Sequence, residues 1–168
     1  LLPGRRRHVA KLRDVLAPGL GRDRRQQVHV LLAVAELDPP GDDALFFVAD
    51  DPDEPNEFIL QQTVDLIAQE VESTRPEFNL KKIYSDAYPQ ESTAGGERYP
   101  AVNQAIDNAV ESGSLVLDYF GHGGVNGWAN ERILEVPQVQ NWSNFNTLRL
   151  FITVTCEFAR FDNPLRPT

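Results

Sequence analysis

The sequence predicts an α/β domain built on a mostly parallel sheet. Two observations carry this. From residue 44 onward, short apolar runs alternate with stretches whose apolar residues recur at helical spacing, the rhythm of parallel strands joined by crossover helices. The two apolar runs with the most reactive residues at their ends, 115–120 and 148–155, each pass directly into a polar turn. The length suits a single domain able to bury a sizeable core.

Ala44-Leu45-Phe46-Phe47-Val48-Ala49 reads as the first buried strand, closed by the acidic turn Asp50-Asp51-Pro52-Asp53. Leu60, Val64, Ile67 and Val71 fall on one helical stripe, and Pro76 requires that helix to have ended. Leu80 to Tyr84 is the second strand. Ser92-Thr93-Ala94-Gly95-Gly96 reads as a loop. Pro100 is suited to the first turn of a helix with the stripe Val102, Ala105, Ile106, Ala109 and Val110, and Gly113 to its C-terminal cap. Leu115 to Phe120 then leads into Gly121-His122-Gly123-Gly124, and Leu148 to Thr155 leads into Cys156.

Charge is unevenly spread. Residues 1–43 carry 8 of the 16 Lys+Arg and only 6 of the 25 Asp+Glu, so the remainder is strongly acidic. The basic clusters Arg5-Arg6-Arg7 and Arg22-Asp23-Arg24-Arg25 lie among Pro and Gly, and residues 1–43 are read as an atypical basic leader to which no function is assigned. An acidic balance argues against a nucleic-acid partner or an anionic membrane surface. A single cysteine excludes an internal disulfide framework and a multi-cysteine zinc site. The start at Leu1-Leu2-Pro3 and the stop at Pro167-Thr168 lead to the expectation that this is a piece of a longer protein, incomplete at its C-terminal side.

His122 and Cys156 both sit where a buried strand ends, the position at which open parallel sheets gather their chemistry. A free thiol is only a few per cent thiolate at neutral pH, and a neighbouring imidazole raises that fraction or accepts the proton on attack. Histidine can then return the proton as an acid. Glycine beside His122 lets backbone N–H groups approach a carbonyl oxygen, so the Gly123 and Cys156 N–H groups form a plausible oxyanion hole. Taken alone, each residue has a duller role: a histidine in a glycine loop is a weak signal, and a cysteine at a strand end is usually small apolar volume.

The wording of these segments resembles the gingipain family within the caspase–gingipain clan of cysteine peptidases. It rests on Tyr119-Phe120-Gly121-His122-Gly123-Gly124, Gly127-Trp128, Glu131-Arg132, Thr153-Val154-Thr155-Cys156-Glu157-Phe158, Arg160-Phe161-Asp162 and Pro164. Lys82 to Tyr88, Gly95 to Pro100 and Phe47 to Asp51 extend it, so that it covers about residues 44–168. The wording is most similar to the branch containing the sortase of type IX secretion. The resemblance implies a three-layer α/β/α sandwich, Cys156 as nucleophile, His122 as general base and an acyl-enzyme intermediate. It further implies an acid at the end of an early strand that orients the histidine; Asp50 falls there, with Asp51 second. Gingipain itself has a glutamate at that position, and this departure leaves the third member open. For the sortase branch, the implied partners are protein substrates with a C-terminal secretion signal, a lipopolysaccharide amine as acyl acceptor and other secretion components, at the outer face of the outer membrane.

Other residues are weighed against ordinary roles. Asp51, Trp128, Glu157 and Arg160 are candidate pocket residues, although Trp128 and Trp142 more often pack and an ion pair explains Glu157 and Arg160 equally well. His8 and His29 fall in the leader and carry no role. Asp50, Asp51, Asp53, Glu54 and Glu57 supply clustered carboxylates for calcium but lack the spacing of an EF-hand, so a solvated acidic turn is preferred and no cofactor is expected. Asp118, within an apolar strand, is read as orienting a loop near His122 or lying at an exposed end of the sheet. Two function classes stand: a cysteine peptidase or transpeptidase, and a catalytically silent interaction or scaffold domain that keeps the fold. A nucleotide-binding reading of the glycine loop lacks any Gly-x-Gly-x-x-Gly or Walker pattern.

Overall fold

The computed structural model describes residues 44–144 and 150–158, all within the unit Pro39–Thr168. Along the chain the elements are β1 (Ala44–Ala49), α1 (Phe58–Thr74), β2 (Asn79–Tyr84), a 3-10 turn (Ser85–Ala87), β3 (Glu91–Thr93), β4 (Gly96–Arg98), α2 (Pro100–Ser112), β5 (Val116–Phe120), β6 (Gly123–Gly124), β7 (Gly127–Trp128), β8 (Leu134–Glu135), α3 (Val136–Gln140) and β9 (Leu150–Val154).

The central sheet has the order β2-β1-β5-β9, and every pair in it is parallel. All six residues of β1 are buried, as expected of a strand covered on both faces and flanked on both edges. Alternation along β1 divides the core. Leu45, Phe47 and Ala49 pack with Val64 and Ala68 of α1, whereas Ala44, Phe46 and Val48 pack with Val102, Ile106, Ala109 and Val110 of α2 and with Trp128, Ile133 and Leu134. The result is the expected α/β/α layering around a parallel sheet. The chain steps from β1 out to β2, then returns across β1 to place β5 on its other side. The reversal makes the carboxyl ends of β1 and β5 the switch point of the sheet, where open α/β sheets gather their chemistry.

Local chemistry explains most boundaries. Pro100 occupies the first turn of α2, and Gly113 closes it in the left-handed region at φ 105, a conformation that lacks a Cβ penalty only for glycine. The α1 helix ends at Thr74, two residues before Pro76. Its buried stripe is rotated from the expected one: Val64 and Ala68 face the sheet, while Ile67 is 43% exposed.

The loop expected over residues 92–96, and a stretch after His122 to which the sequence assigned no element, are ordered into small sheets. Residues 91–98 form the β3–β4 hairpin, whose turn is held by the Thr93 hydroxyl donating to the Gly96 carbonyl at 2.7 Å. Residues 123–135 form the antiparallel sheet β6-β7-β8. The strand expected over Leu148–Thr155 is seen as Leu150–Val154, and Leu148 and Arg149 lie outside the described residues.

Trp128 anchors the α2 side. It is fully buried and stacked on Tyr119, with ring centroids 4.2 Å apart and planes 8° from parallel, and Phe158 meets its edge at 5.8 Å. Truncation there leaves a cavity the neighbouring rings cannot fill. Trp128→Ala is expected to lower unfolding stability by about 3–5 kcal/mol, measured by urea denaturation.

Asp118 occupies neither position expected for it. It lies within β5 opposite Phe47 of β1 and Ile152 of β9, half-buried, and desolvation pushes its carboxyl up to about 6 from 3.8. The folded chain therefore holds this proton more tightly than the unfolded chain. Stability is lost as pH rises from about 4 to about 6, and it remains lost above that. Asp118→Asn removes the ionisation. Its urea midpoint is expected to exceed that of the unsubstituted chain above about pH 7, by on the order of 2 kcal/mol in stability, and to converge with it near pH 4.

Candidate active site

The register of the sheet sets the site. Ala49 pairs with Phe120, and Phe120 with Val154, so three strands end on one row. The Gly121 N–H donates to the Val154 carbonyl at 3.3 Å and extends the row by one bond. Asp50, His122 and Cys156 leave the sheet just beyond it. Neighbouring strands lie about 4.8 Å apart, which brings residues remote in sequence within side-chain reach. The alternation of β9 places Leu150 and Ile152 on the α1 side. β9 ends at Val154 and Cys156 lies two residues beyond it in a bend, while the His122 ring meets Glu57 just ahead of α1.

The Cys156 turn is tight. The Phe158 N–H donates to the Cys156 carbonyl at 2.6 Å, and Glu157 between them adopts φ 51, a left-handed conformation that costs a non-glycine residue of order 1–3 kcal/mol. Cys156 itself is exposed. Glu157 is exposed too. Gly123 packs directly on this turn: a Cβ there would collide with the Thr155 side chain and lie 3.1 Å from the Cys156 carbonyl oxygen. At Gly121 a Cβ would meet the Tyr119 hydroxyl and lie 2.6 Å from the Asp50 Cβ. The glycines therefore let the two strand-end turns lie against each other.

The histidine is held from three directions. The Tyr119 hydroxyl donates to its carbonyl at 2.6 Å, its own N–H donates to Asp50 Oδ2 at 2.9 Å, and its ring Nε2 lies 2.8 Å from Glu57 Oε1. The orienting acid expected at Asp50 is thus redistributed. Asp50 fixes the His122 backbone, and Glu57 takes the ring. The reason is burial: Asp50 is 1% exposed and sits beneath the turn, whereas Glu57 lies in the loop before α1 and faces the imidazole. Glu57 is in turn fixed by the Glu54 N–H, 2.9 Å from its Oε2.

These contacts set the protonation of the ring. Partial burial pulls the His122 ring down, but the hydrogen bond and charge of Glu57, with the charges of Asp50 and Asp53, outweigh it and leave the ring above the ordinary histidine value of 6.5. Glu57 is lowered in return: desolvation pushes it up, but the hydrogen bond and charge of His122 together with backbone N–H donors of the turn outweigh that. With Nε2 engaged by Glu57, Nδ1 is the nitrogen left for the thiol. Among the described residues, the Cys156 sulfur and the His122 ring make no hydrogen bond to each other. The structure brings their strand ends together and leaves the thiol facing solvent.

Other expected pocket residues fall elsewhere. Trp128 is 0% exposed and belongs to the core, not to a pocket wall. Asp51 is buried, with its Oδ2 accepting from the Tyr99 hydroxyl at 2.8 Å. Arg160 lies outside the described residues. Asp53 and Glu57, grouped in sequence with a calcium-type run, diverge: Asp53 accepts from the Asn130 amide at 2.8 Å and Glu57 takes the histidine. Sequence reasoning gave no role to Glu131, which is buried near Asp50 and Asp51. The signals were its place in the Glu131-Arg132 pair that carries the resemblance and an acid set near the apolar Trp128, Ile133 and Leu134.

No curated protein matches the chain. A model of one protein family, described as peptidase family C25, matches residues 32–168, beginning upstream of the first strand. That match takes in the acidic turn, the His122 loop and the Cys156 turn, and with them the chain belongs to peptidase family C25, the gingipain family of cysteine peptidases.

Proposed function

We propose that this chain carries the nucleophile and base of a cysteine endopeptidase that works through an acyl-enzyme, with Cys156 as nucleophile, His122 as base and Glu57 as the acid that orients the imidazole. The observation that carries this reading is the 2.8 Å contact between Glu57 and His122 Nε2 at the end of β5, one strand from the end of β9 that bears Cys156. Glu57 favours the imidazolium and fixes the ring plane, as the acid of a catalytic triad does.

In this mechanism Cys156 Sγ comes against His122 Nδ1 when substrate is bound. The thiol proton passes to Nδ1 as sulfur attacks the scissile carbonyl carbon. The developing oxyanion is met by the Gly123 and Cys156 N–H groups. Collapse breaks the C–N bond, and the imidazolium gives its proton to the leaving amine. The thioester is then attacked by water in hydrolysis or by an amine in transfer, and Cys156 regains its proton through His122.

The finer reading is that of a sortase acting on type IX secretion substrates. It is supported by the motif wording around His122 and Cys156, and it supplies the protein substrates with a C-terminal signal, the lipopolysaccharide amine acceptor, the other secretion components and the cell-surface location. A small amine added with a signal-bearing substrate separates transfer from hydrolysis, because only transfer yields the amide adduct detectable by mass spectrometry.

Labelling of the chain with a thiol-directed acyl probe tests the catalytic assignment. Rapid labelling is expected, with loss in Cys156→Ala and a fall of about 10²–10⁴-fold in rate for His122→Ala. Slow labelling indifferent to His122 would show a silent interaction domain instead. Glu57→Gln keeps the size of the side chain but removes its charge. It is expected to slow labelling by about tenfold or more, while an exposed-acid control, Glu54→Gln, leaves the rate near that of the unsubstituted chain.

A further inference from the structure

β2 stands at one edge of the central sheet, and among the described residues no strand pairs with its outer side. Alternation divides its side chains between the two faces. Leu80 and Tyr84 pack on the α1 side, where Lys82 is paired with Asp65, whereas Ile83 packs on the α2 side. Lys81 shares that second side, and its ammonium lies 5.3 Å from the ring centroid of Phe46 on β1. There β2 and α2 wall a cleft of about 350 Å³, with the buried Phe46 and Ile83 beneath it and Ala105 and Ala109 along the helix.

The cleft offers donors and no acid. Lys81 makes no ion pair among the described residues, and Asn108, whose Oδ1 accepts from the Gln104 amide at 3.0 Å, keeps its own amide N–H groups free. No Asp or Glu lines the space, in a chain of formal net charge -9. An edge strand with open backbone groups is a template for pairing, and an edge lysine ordinarily guards against it. Lys81 instead leans inward over the ring of the neighbouring strand, a cation–π contact that leaves its ammonium at the mouth of an apolar cleft.

We propose that the outer edge of β2 and the cleft beside it bind an extended peptide that carries an apolar side chain and, two residues along, a carboxylate. The peptide adds to the sheet as a strand, its backbone taking the free N–H and C=O groups of β2. Side chains two apart share one face of a strand, so the apolar group enters the cleft over Phe46 and Ile83 while the carboxylate meets Lys81. Charge complementarity selects this occupant over a second copy of the chain. Pairing of two β2 edges would set Lys81 and Lys82 of one copy against the same lysines of the other, and like charges across a strand pair are destabilising.

The register fixes where such a peptide leads. Tyr84 pairs with Ala49, and Ala49 with Phe120, so β2 ends on the row beyond which His122 and Cys156 leave the sheet. A strand bound to β2 is therefore a second hold on an extended polypeptide, separated by β2 and β1 from the strand that bears the histidine. Binding belongs to this edge alone and stands whether or not the chain cleaves peptides.

The test is fluorescence anisotropy on the full chain carrying Cys156→Ala, so that no probe is cleaved. The probe is a labelled, end-blocked hexapeptide with threonine at its odd positions and phenylalanine, glutamate and valine, in that order, at its even ones. Binding is expected with Kd below about 100 μM. Lys81→Met, or glutamine for the glutamate of the peptide, is expected to weaken it about two- to fivefold, and the two together no more than either alone. Arg132→Met, the same loss of charge in the turn after β7, leaves Kd unchanged. Ala105→Phe fills the cleft from the helix and is expected to weaken binding about tenfold or more. N-methylation at alternate peptide residues removes ladder donors, so one of the two alternating patterns is expected to abolish binding. Equal binding of both N-methylated patterns would overturn the proposal, as would a Kd indifferent to both Lys81 and the peptide carboxylate. So would no binding at millimolar peptide, including exclusion by a second copy paired through β2, a result that decides the matter even if Ala105→Phe does not fold. Such failure leaves the acyl-probe result untouched, so the two readings fall separately.

Discussion

The alignment of three parallel strands on one terminal row is the constraint from which the site follows. Ala49, Phe120 and Val154 lie side by side, so the residues after them cannot help but leave the sheet at one edge. A slip of one residue in β9 would turn that strand's side chains to the opposite face and move the Cys156 turn off the row, because side chains alternate with a period of two. The register is defended by burial on both sides of the sheet: β1 has no exposed residue, and Leu117 and Tyr119 of β5 are wholly enclosed. Chemistry that depends on two distant residues meeting is thus secured by hydrophobic packing that has nothing to do with catalysis.

Upon that frame, two acids with similar chemistry take different tasks because their surroundings differ. Asp50 is enclosed and accepts backbone N–H groups, which suits a residue that shapes a turn. Glu57 is reached by solvent and faces the ring, which suits a residue that must stay ionised beside an imidazolium. The separation follows from chain geometry: Asp50 ends a buried strand, whereas Glu57 comes seven positions later, where the loop has climbed to the start of α1.

Much of this was legible in the residues. The buried strands, Pro100, Gly113 and the convergence of the His122 and Cys156 turns all follow from local pattern and the rule that parallel sheets present chemistry at their carboxyl ends. The small sheets at 91–98 and 123–135 did not stand out, since strands of two or three residues carry no period to detect and are held by turn hydrogen bonds and core contacts. The rotation of the α1 stripe is set by what the sheet offers to pack against, and eight apolar residues within one helix allow more than one inward face. The choice among Asp50, Asp51, Asp53, Glu54 and Glu57 was likewise beyond pattern: five acids in one turn are equivalent in sequence and become distinct only when the loop path fixes which one meets the ring. Glu131 belonged to the family wording but had no assigned role until the fold enclosed it.

Tyr119 joins the interior to the catalytic turn in a single side chain. Its ring stacks on Trp128, and its hydroxyl grips the His122 carbonyl. Packing and turnover are therefore not independent traits here. Selection for a looser or larger aromatic cluster would shift the imidazole, and selection on the imidazole would be felt in the cluster, so evolutionary change at this layer must proceed by coordinated substitutions instead of isolated ones.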